Sequence, residues 1–156
     1  MNADEAAARA RTIFLDKSHP YGCAETTFMV LKEAFDLPDP ADPSAAMALN
    51  GGVAYDGGVC GAISGAALAV GLLASRRFAD HARAKWEARE AIAGMMDDFR
   101  AAHGAVDCRA LVGRDIRTPE QHKAFIDSGI WRVACMSQIE FVVRALAPLS
   151  AGKTWS

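Results

Sequence analysis

The sequence predicts an all-α fold, a compact bundle of six or seven helices. No stretch of strand length alternates apolar and polar residues. Apolar residues instead recur at helical spacing, and proline, glycine and capping residues bound segments of helix length. The chain has 156 residues, of which 51% are hydrophobic and 23% charged. This predicts one globular domain over residues 1–156, with its motifs in about 21–146.

Two helices are predicted in the N-terminal part. The first is Ala3–Asp16, whose apolar face is formed by Ala3, Ala7, Ala10 and Phe14. A break follows at Ser18–Gly22, because Pro20 lacks an amide donor and disfavours helix at the residue before it. The second helix is Cys23–Phe35, and three prolines from Pro38 to Pro43 follow it.

A short helix is expected from Asp42-Pro43 to about Leu49, ended by Gly51-Gly52. The next helix begins near Cys60, within residues 57–75, which carry no charge. Glycine and alanine dilute that stretch, so we interpret it as a buried central helix rather than a membrane span. Gly61 and Gly65 share a face and predict close approach of another backbone.

The longest helix is predicted over Arg77–His103, stopped by Gly104. Its expected buried stripe is Phe78, Ala82, Trp86, Ile92, Met96 and Phe99.

Three further helices follow. A short helix starts at Cys108 behind the capping position Asp107. Thr118-Pro119 begins another, which ends near Ser128-Gly129. The last runs over Ile130–Leu146, with Cys135 inside it on the apolar stripe.

Charge and the N-terminus limit the classes of function and partner. The net charge is −2 and no basic cluster is longer than Arg76-Arg77, which argues against nucleic-acid binding. The N-terminus does not resemble a secretory signal, so a cytoplasmic location without a membrane span is predicted. Thiols stay reduced there, and a structural disulfide framework is not expected.

The four cysteines are the candidate functional residues. They contain no CxxC pair, and their spacing alone also suits four unrelated buried thiols. However, Cys23, Cys60 and Cys108 each begin a predicted helix. Because helix N-termini carry partial positive charge and unpaired N–H groups, we expect stabilised thiolates there. Cys60 or Cys23 should then alkylate faster than Cys135.

The residues around the cysteines resemble the C_GCAxxG_C_C family of redox-active proteins. "CGAISG" (Cys60–Gly65) fits the CGAxxG motif, "YGCAETTF" resembles the first cysteine segment and "VDCRALVG" the third. Cys135, in "RVACMSQIEF", supplies the fourth cysteine. The resemblance covers roughly residues 21–146 and implies a redox role without defining the reaction.

We therefore predict that Cys23, Cys60, Cys108 and Cys135 converge on one redox site. One mechanism is thiol–disulfide exchange, with a redox protein or a small-molecule thiol or electron donor as partner. The alternative is that the same four cysteines hold zinc or an iron–sulfur cluster. A third possibility is a structural or interaction protein that forms a helical homodimer through the small-residue helix. His19 is a candidate neighbour of Cys23.

Overall fold

The computed structural model describes residues 1–18 and 21–151, so the predicted break at Pro20 and the position of His19 lie outside the described residues. Seven α-helices run over Ala3–Phe14 (α1), Cys23–Ala34 (α2), Gly61–Arg77 (α3), His81–His103 (α4), Cys108–Val112 (α5), Pro119–Ser128 (α6) and Ala134–Leu146 (α7). Three short 3-10 helices are Ser44–Leu49, Ile130–Arg132 and Ala147–Ala151. The described ranges contain no strand, so the all-α prediction is confirmed.

Helix α2 is the most buried element. Ten of its twelve residues are buried, from Ala24 through Lys32 together with Ala34. It packs against α1, α3 and α7. Helix α3, which contains most of the uncharged stretch and was predicted to be central, is buried on one side only, and Leu72 on its outer side is 48% exposed. The prediction of a central α3 was therefore wrong in part, because α2 occupies the centre of the bundle.

The predicted start of the long helix at Arg77 was also wrong. Arg77 ends α3, and α4 begins at His81 behind Asp80, whose side chain accepts a hydrogen bond from the Arg83 N–H. The buried residues of α4 are Ala84, Glu87, Met95 and Phe99, whereas Trp86 is 51% exposed. Because α4 lies on the outside of the bundle, only a narrow face rotated from the predicted stripe is buried.

The last predicted helix is divided in two. Gly129 adopts a left-handed conformation (φ 73°), a 3-10 turn follows, and α7 begins only at Ala134. Cys135 therefore lies in the first turn of α7 and not inside a continuous helix as predicted. All four cysteines are thus at helix starts.

One helical stretch, Ile130–Ala151, is long and apolar enough to cross a membrane by length and composition. Half of its apolar window is buried inside the described structure, so this is weak evidence for a span.

Candidate functional site

Cys23 is held by a buried polar network at the start of α2. The carboxylate of Glu25 accepts hydrogen bonds from the Gly22 N–H at 3.0 Å and from Nδ2 of Asn50 at 2.7 Å. Oδ1 of Asn50 accepts from the Ala24 N–H at 3.0 Å. These bonds satisfy amides that a helix start leaves unpaired, and they fix the backbone on both sides of Cys23.

Cys60 and Cys108 are held together by a short antiparallel pairing of their loops. The Cys60 N–H donates to the Val106 carbonyl at 2.8 Å, and the Cys108 N–H donates to the Gly58 carbonyl at 2.7 Å. Val59 and Asp107 form an isolated bridge between them. The starts of α3 and α5 are therefore fixed side by side, although 48 positions separate the two cysteines.

The glycines of α3 let this helix contact the start of α2. A Cβ at Gly65 would lie 2.3 Å from the carbonyl oxygen of Ala24. A Cβ at Gly61 would lie 3.1 Å from the Ala24 nitrogen and 3.3 Å from the Cβ of Cys23. The predicted close backbone approach on this face is present, and it brings the Cys60 end of α3 to Cys23.

The four thiols differ in exposure and in partners. Cys23 is partly exposed, whereas Cys60, Cys108 and Cys135 are buried at 2%, 8% and 4% exposure. Cys23 and Cys135 line the same cavity, and their thiols lie close enough to influence each other's ionisation. The Cys60 thiol donates to Oε1 of Gln138 at 3.5 Å. All four thiols are free.

The expectation of stabilised thiolates is wrong. The neighbouring Cys135 thiol and burial raise the pKa of Cys23 well above its usual value. Burial and the neighbouring Cys23 also raise the pKa of Cys60, although the Ala62 and Ile63 amides act in the opposite direction. The same two causes raise the pKa of Cys108 to about 11. The stabilisation that two backbone amides at a helix start give to a thiolate is smaller than the free-energy cost of removing that thiolate from water.

A cavity of about 560 Å³ opens beside three of the cysteines. Cys23, Cys108 and Cys135 line it, while Cys60 lies behind this wall. Much of the remaining wall is aromatic and includes Phe14, Tyr21, Tyr55, His122, Phe125 and Trp131. A cavity of this size, with aromatic walls and polar groups at its edge, is typical of small-molecule sites.

A left-handed turn carries Tyr55 to this cavity. The five consecutive residues Gly51 to Tyr55 have φ between 53° and 77°. Three of them, Val53, Ala54 and Tyr55, are not glycine, and a left-handed conformation costs roughly 1–2 kcal/mol at each. Backbone strain of this kind concentrates at functional sites. In the sequence, only the glycine pair Gly51-Gly52 indicates that a left-handed turn forms here.

His122 faces Tyr55, and sequence analysis did not single it out. The two rings lie 4.5 Å apart between centroids. Within the described residues, the buried Nδ1 of His122 has no hydrogen-bond partner. Nothing in the sequence joins His122 to Tyr55, because they are 67 positions apart.

The arrangement of the thiols bears on their chemistry. In residues 1–18 and 21–151, no three Cys, His, Asp or Glu side chains are grouped so as to hold a metal ion. Cys23 and Cys135 instead adjoin as two interacting thiols on the cavity wall.

Comparison with known proteins identifies the family. The family model described as "Putative redox-active protein (C_GCAxxG_C_C)" matches residues 21–149, which include all four cysteines. No curated protein and no solved structure matches the chain. Since the match covers most of the sequence, the chain belongs to the C_GCAxxG_C_C family of redox-active proteins.

Proposed function

We propose that this protein transfers electrons by thiol–disulfide exchange, with Cys23 and Cys135 as the exchanging pair. The observation that supports the proposal is that these two thiols are interacting neighbours on the wall of one cavity. Joining the two sulfurs releases two electrons and two protons, which pass to a disulfide substrate as it becomes two thiols. The reverse reaction restores the dithiol.

Exposure assigns the roles within the pair. Cys23 is partly exposed at the cavity, so an incoming disulfide reaches its sulfur first. Cys135 is 4% exposed and lies against Cys23, which suits a resolving thiol that attacks the mixed disulfide. Cys60 and Cys108 support the pair from behind and beside it, and their thiols remain reduced in this mechanism.

The burial of the thiols agrees with exchange between neutral forms. Both the dithiol and the disulfide are uncharged, so both tolerate a site that disfavours thiolates. The thiolate forms only during attack. We therefore expect slow reaction at neutral pH and faster reaction as the pH rises.

The test is disulfide mapping. The protein is equilibrated anaerobically with mixtures of reduced and oxidised dithiothreitol, quenched in acid, alkylated, and analysed by peptide mass spectrometry. We expect one reversible Cys23–Cys135 disulfide, which Cys23→Ser or Cys135→Ser abolishes. Cys60→Ser is the matched control, because serine keeps a donor toward Gln138, and it should leave the disulfide intact.

Two outcomes would contradict the proposal. A disulfide that joins Cys23 to Cys60 or Cys108 would show that the pair is wrong. Stoichiometric zinc or iron that binds the reduced protein and protects all four thiols from alkylation would instead select the metal-binding alternative. The zinc and iron content is measured in parallel on protein that has been purified without air.

A further inference from the structure

The attacking sulfur lies in a cavity that limits what can reach it. Cys23 lines the cavity wall, and the adjoining thiols of Cys108 and Cys135 are almost fully buried. A disulfide in a folded protein brings two backbone segments with it, and both would have to enter about 560 Å³. A small organic disulfide needs no such space, because exchange depends on access of one sulfur to another.

The cavity walls favour an aromatic molecule. Trp131 is fixed there by an edge-to-face contact with Phe14 at 5.4 Å and by a hydrogen bond from its Nε1 to the Ile126 carbonyl. Tyr55 is fixed by the left-handed turn and by its contact with His122. Rings held in this way can stack on a flat ligand with little loss of their own freedom.

One polar atom of the wall is left without a partner by the described residues. It is the buried Nδ1 of His122, and a buried ring nitrogen of this kind is costly unless it is hydrogen-bonded. This atom is buried, so a bound molecule could bond to it only after the His122 ring turned.

The rim of the cavity favours negative charge. Lys17 and Arg132 are exposed there, and Arg132 stacks on Trp131 with its guanidinium carbon 4.5 Å from the ring centroid. The only carboxylate among the lining residues is that of Asp16, which accepts hydrogen bonds from the amide and hydroxyl of Ser18. The rim therefore carries two positive charges and one negative charge.

From these observations we infer that the substrate of the thiol pair is a small aromatic disulfide that carries negative charge. This inference rests on the exchange function proposed above. The sulfur of Cys23 attacks one substrate sulfur, forms a mixed disulfide and releases the first thiol, which takes the proton that Cys23 loses. Cys135 then attacks Cys23, releases the second thiol and leaves the Cys23–Cys135 disulfide.

The experiment compares four oxidants of the reduced protein. Dithiobis-nitrobenzoate is aromatic and dianionic, dithiodipyridine is aromatic and neutral, cystamine is aliphatic and cationic, and insulin presents protein disulfides. Each rate is divided by the rate of the same oxidant with dithiothreitol, which removes intrinsic reactivity. We expect the normalised rate to be highest for dithiobis-nitrobenzoate and to fall through dithiodipyridine and cystamine to insulin. The rate with dithiobis-nitrobenzoate should also saturate with concentration, because binding precedes reaction.

Charge variants at the rim test the assignment directly. Lys17→Gln and Arg132→Gln should each slow the dianionic oxidant roughly two- to fivefold more than they slow the neutral one, as for an exposed ion pair. Lys85→Gln, at an exposed position of α4, is the matched control and should alter neither rate. Urea unfolding of each variant confirms that the fold is retained.

The outcomes separate the inference from the function on which it rests. If insulin oxidises the pair as fast as the aromatic reagents after normalisation, the thiol pair functions but the small-molecule inference is wrong. Equal normalised rates without saturation for all small reagents would also overturn it. If no oxidant produces the Cys23–Cys135 disulfide, the proposed function itself fails.

Discussion

The contact between α2 and α3 gives the sharpest test of how the site is assembled, through the substitution Gly65→Ala. The new methyl carbon would lie 2.3 Å from the carbonyl oxygen of Ala24 and 3.0 Å from its Cα. Ordinary contact distances are about 3.5–4.0 Å, so the two helices must separate by roughly 1 Å. Both obstructing atoms belong to the backbone and cannot rotate away.

The expected cost follows from two opposing effects. Overpacking of this kind costs about 1–3 kcal/mol. Alanine favours a helix interior over glycine by about 0.5–1 kcal/mol, which offsets part of that cost. We therefore expect Gly65→Ala to lower the free energy of unfolding by about 1–2 kcal/mol.

Gly71→Ala is the matched control on the same helix. No atom lies within 4 Å of a Cβ built at Gly71, so only the helix-propensity gain remains. This variant should raise the free energy of unfolding by about 0.5–1 kcal/mol. Urea unfolding followed by helical circular dichroism measures both changes. If Gly65→Ala is as stable as Gly71→Ala, the close crossing of α2 and α3 does not exist, and the account of how Cys23 reaches Cys60 fails.

Three further predictions concern the thiols and the strained turn. Because burial raises the pKa of Cys108 from 9.0 to about 11, the neutral thiol stabilises the fold below pH 9, and this contribution should be lost as the pH rises toward 11. Between pH 9 and 11 the free energy of unfolding should fall less steeply with pH in Cys108→Ala than in the unsubstituted protein. Equal slopes in the two proteins would contradict the raised pKa of Cys108. In timed iodoacetamide labelling at pH 7, partly exposed Cys23 should react before buried Cys60, and the raised pKa values of Cys23, Cys60 and Cys108 should make these three thiols react slowly. Rapid labelling of Cys60 would restore the stabilised-thiolate expectation. Val53→Gly should raise the free energy of unfolding by about 0.5–1 kcal/mol, because glycine adopts the φ of 63° without strain. Val59→Gly, in the bridged segment, is the control and should lower the free energy of unfolding by about 0.5–1 kcal/mol. If both variants lose the same stability, Val53 is not strained.

Local signals in the sequence predicted the fold well. The start of α6 shows why, since Thr118 accepts from the Gln121 N–H while the Gln121 side chain accepts from the Thr118 N–H. Such bonds involve residues three apart, so the sequence contains both partners. Gly104 likewise ends α4, as predicted, in a left-handed conformation, and Gly113 ends α5 in the same way.

The errors arose where apolar periodicity alone determined neither the buried face of a helix nor its boundaries. Trp86 was predicted to be buried, but it is exposed because α4 lies on the outside of the bundle, which the sequence of α4 alone does not reveal. The break between Ile130 and Ala134 depends on local geometry after Gly129, and apolar periodicity runs through it without interruption. The contact of Tyr55 with His122 also requires a left-handed turn that Val53 and Ala54 disfavour locally.

The thiol environment was the least predictable property, and its physical cause separates the two mechanisms. A helix start lowers a thiol pKa through a few oriented amides, whereas burial raises it by removing water from every side of the sulfur. Cys60 shows both effects, and burial is the larger. A metal ion would reverse this balance with its own charge, but it needs several thiolates around one point. Within the described residues the sulfurs of Cys23 and Cys135 form a pair, and no metal-holding group of three is present. A dithiol that becomes a disulfide needs only one thiolate, and only during attack, so we expect this buried site to carry out exchange rather than to bind a metal, and metal analysis of the reduced protein tests that expectation.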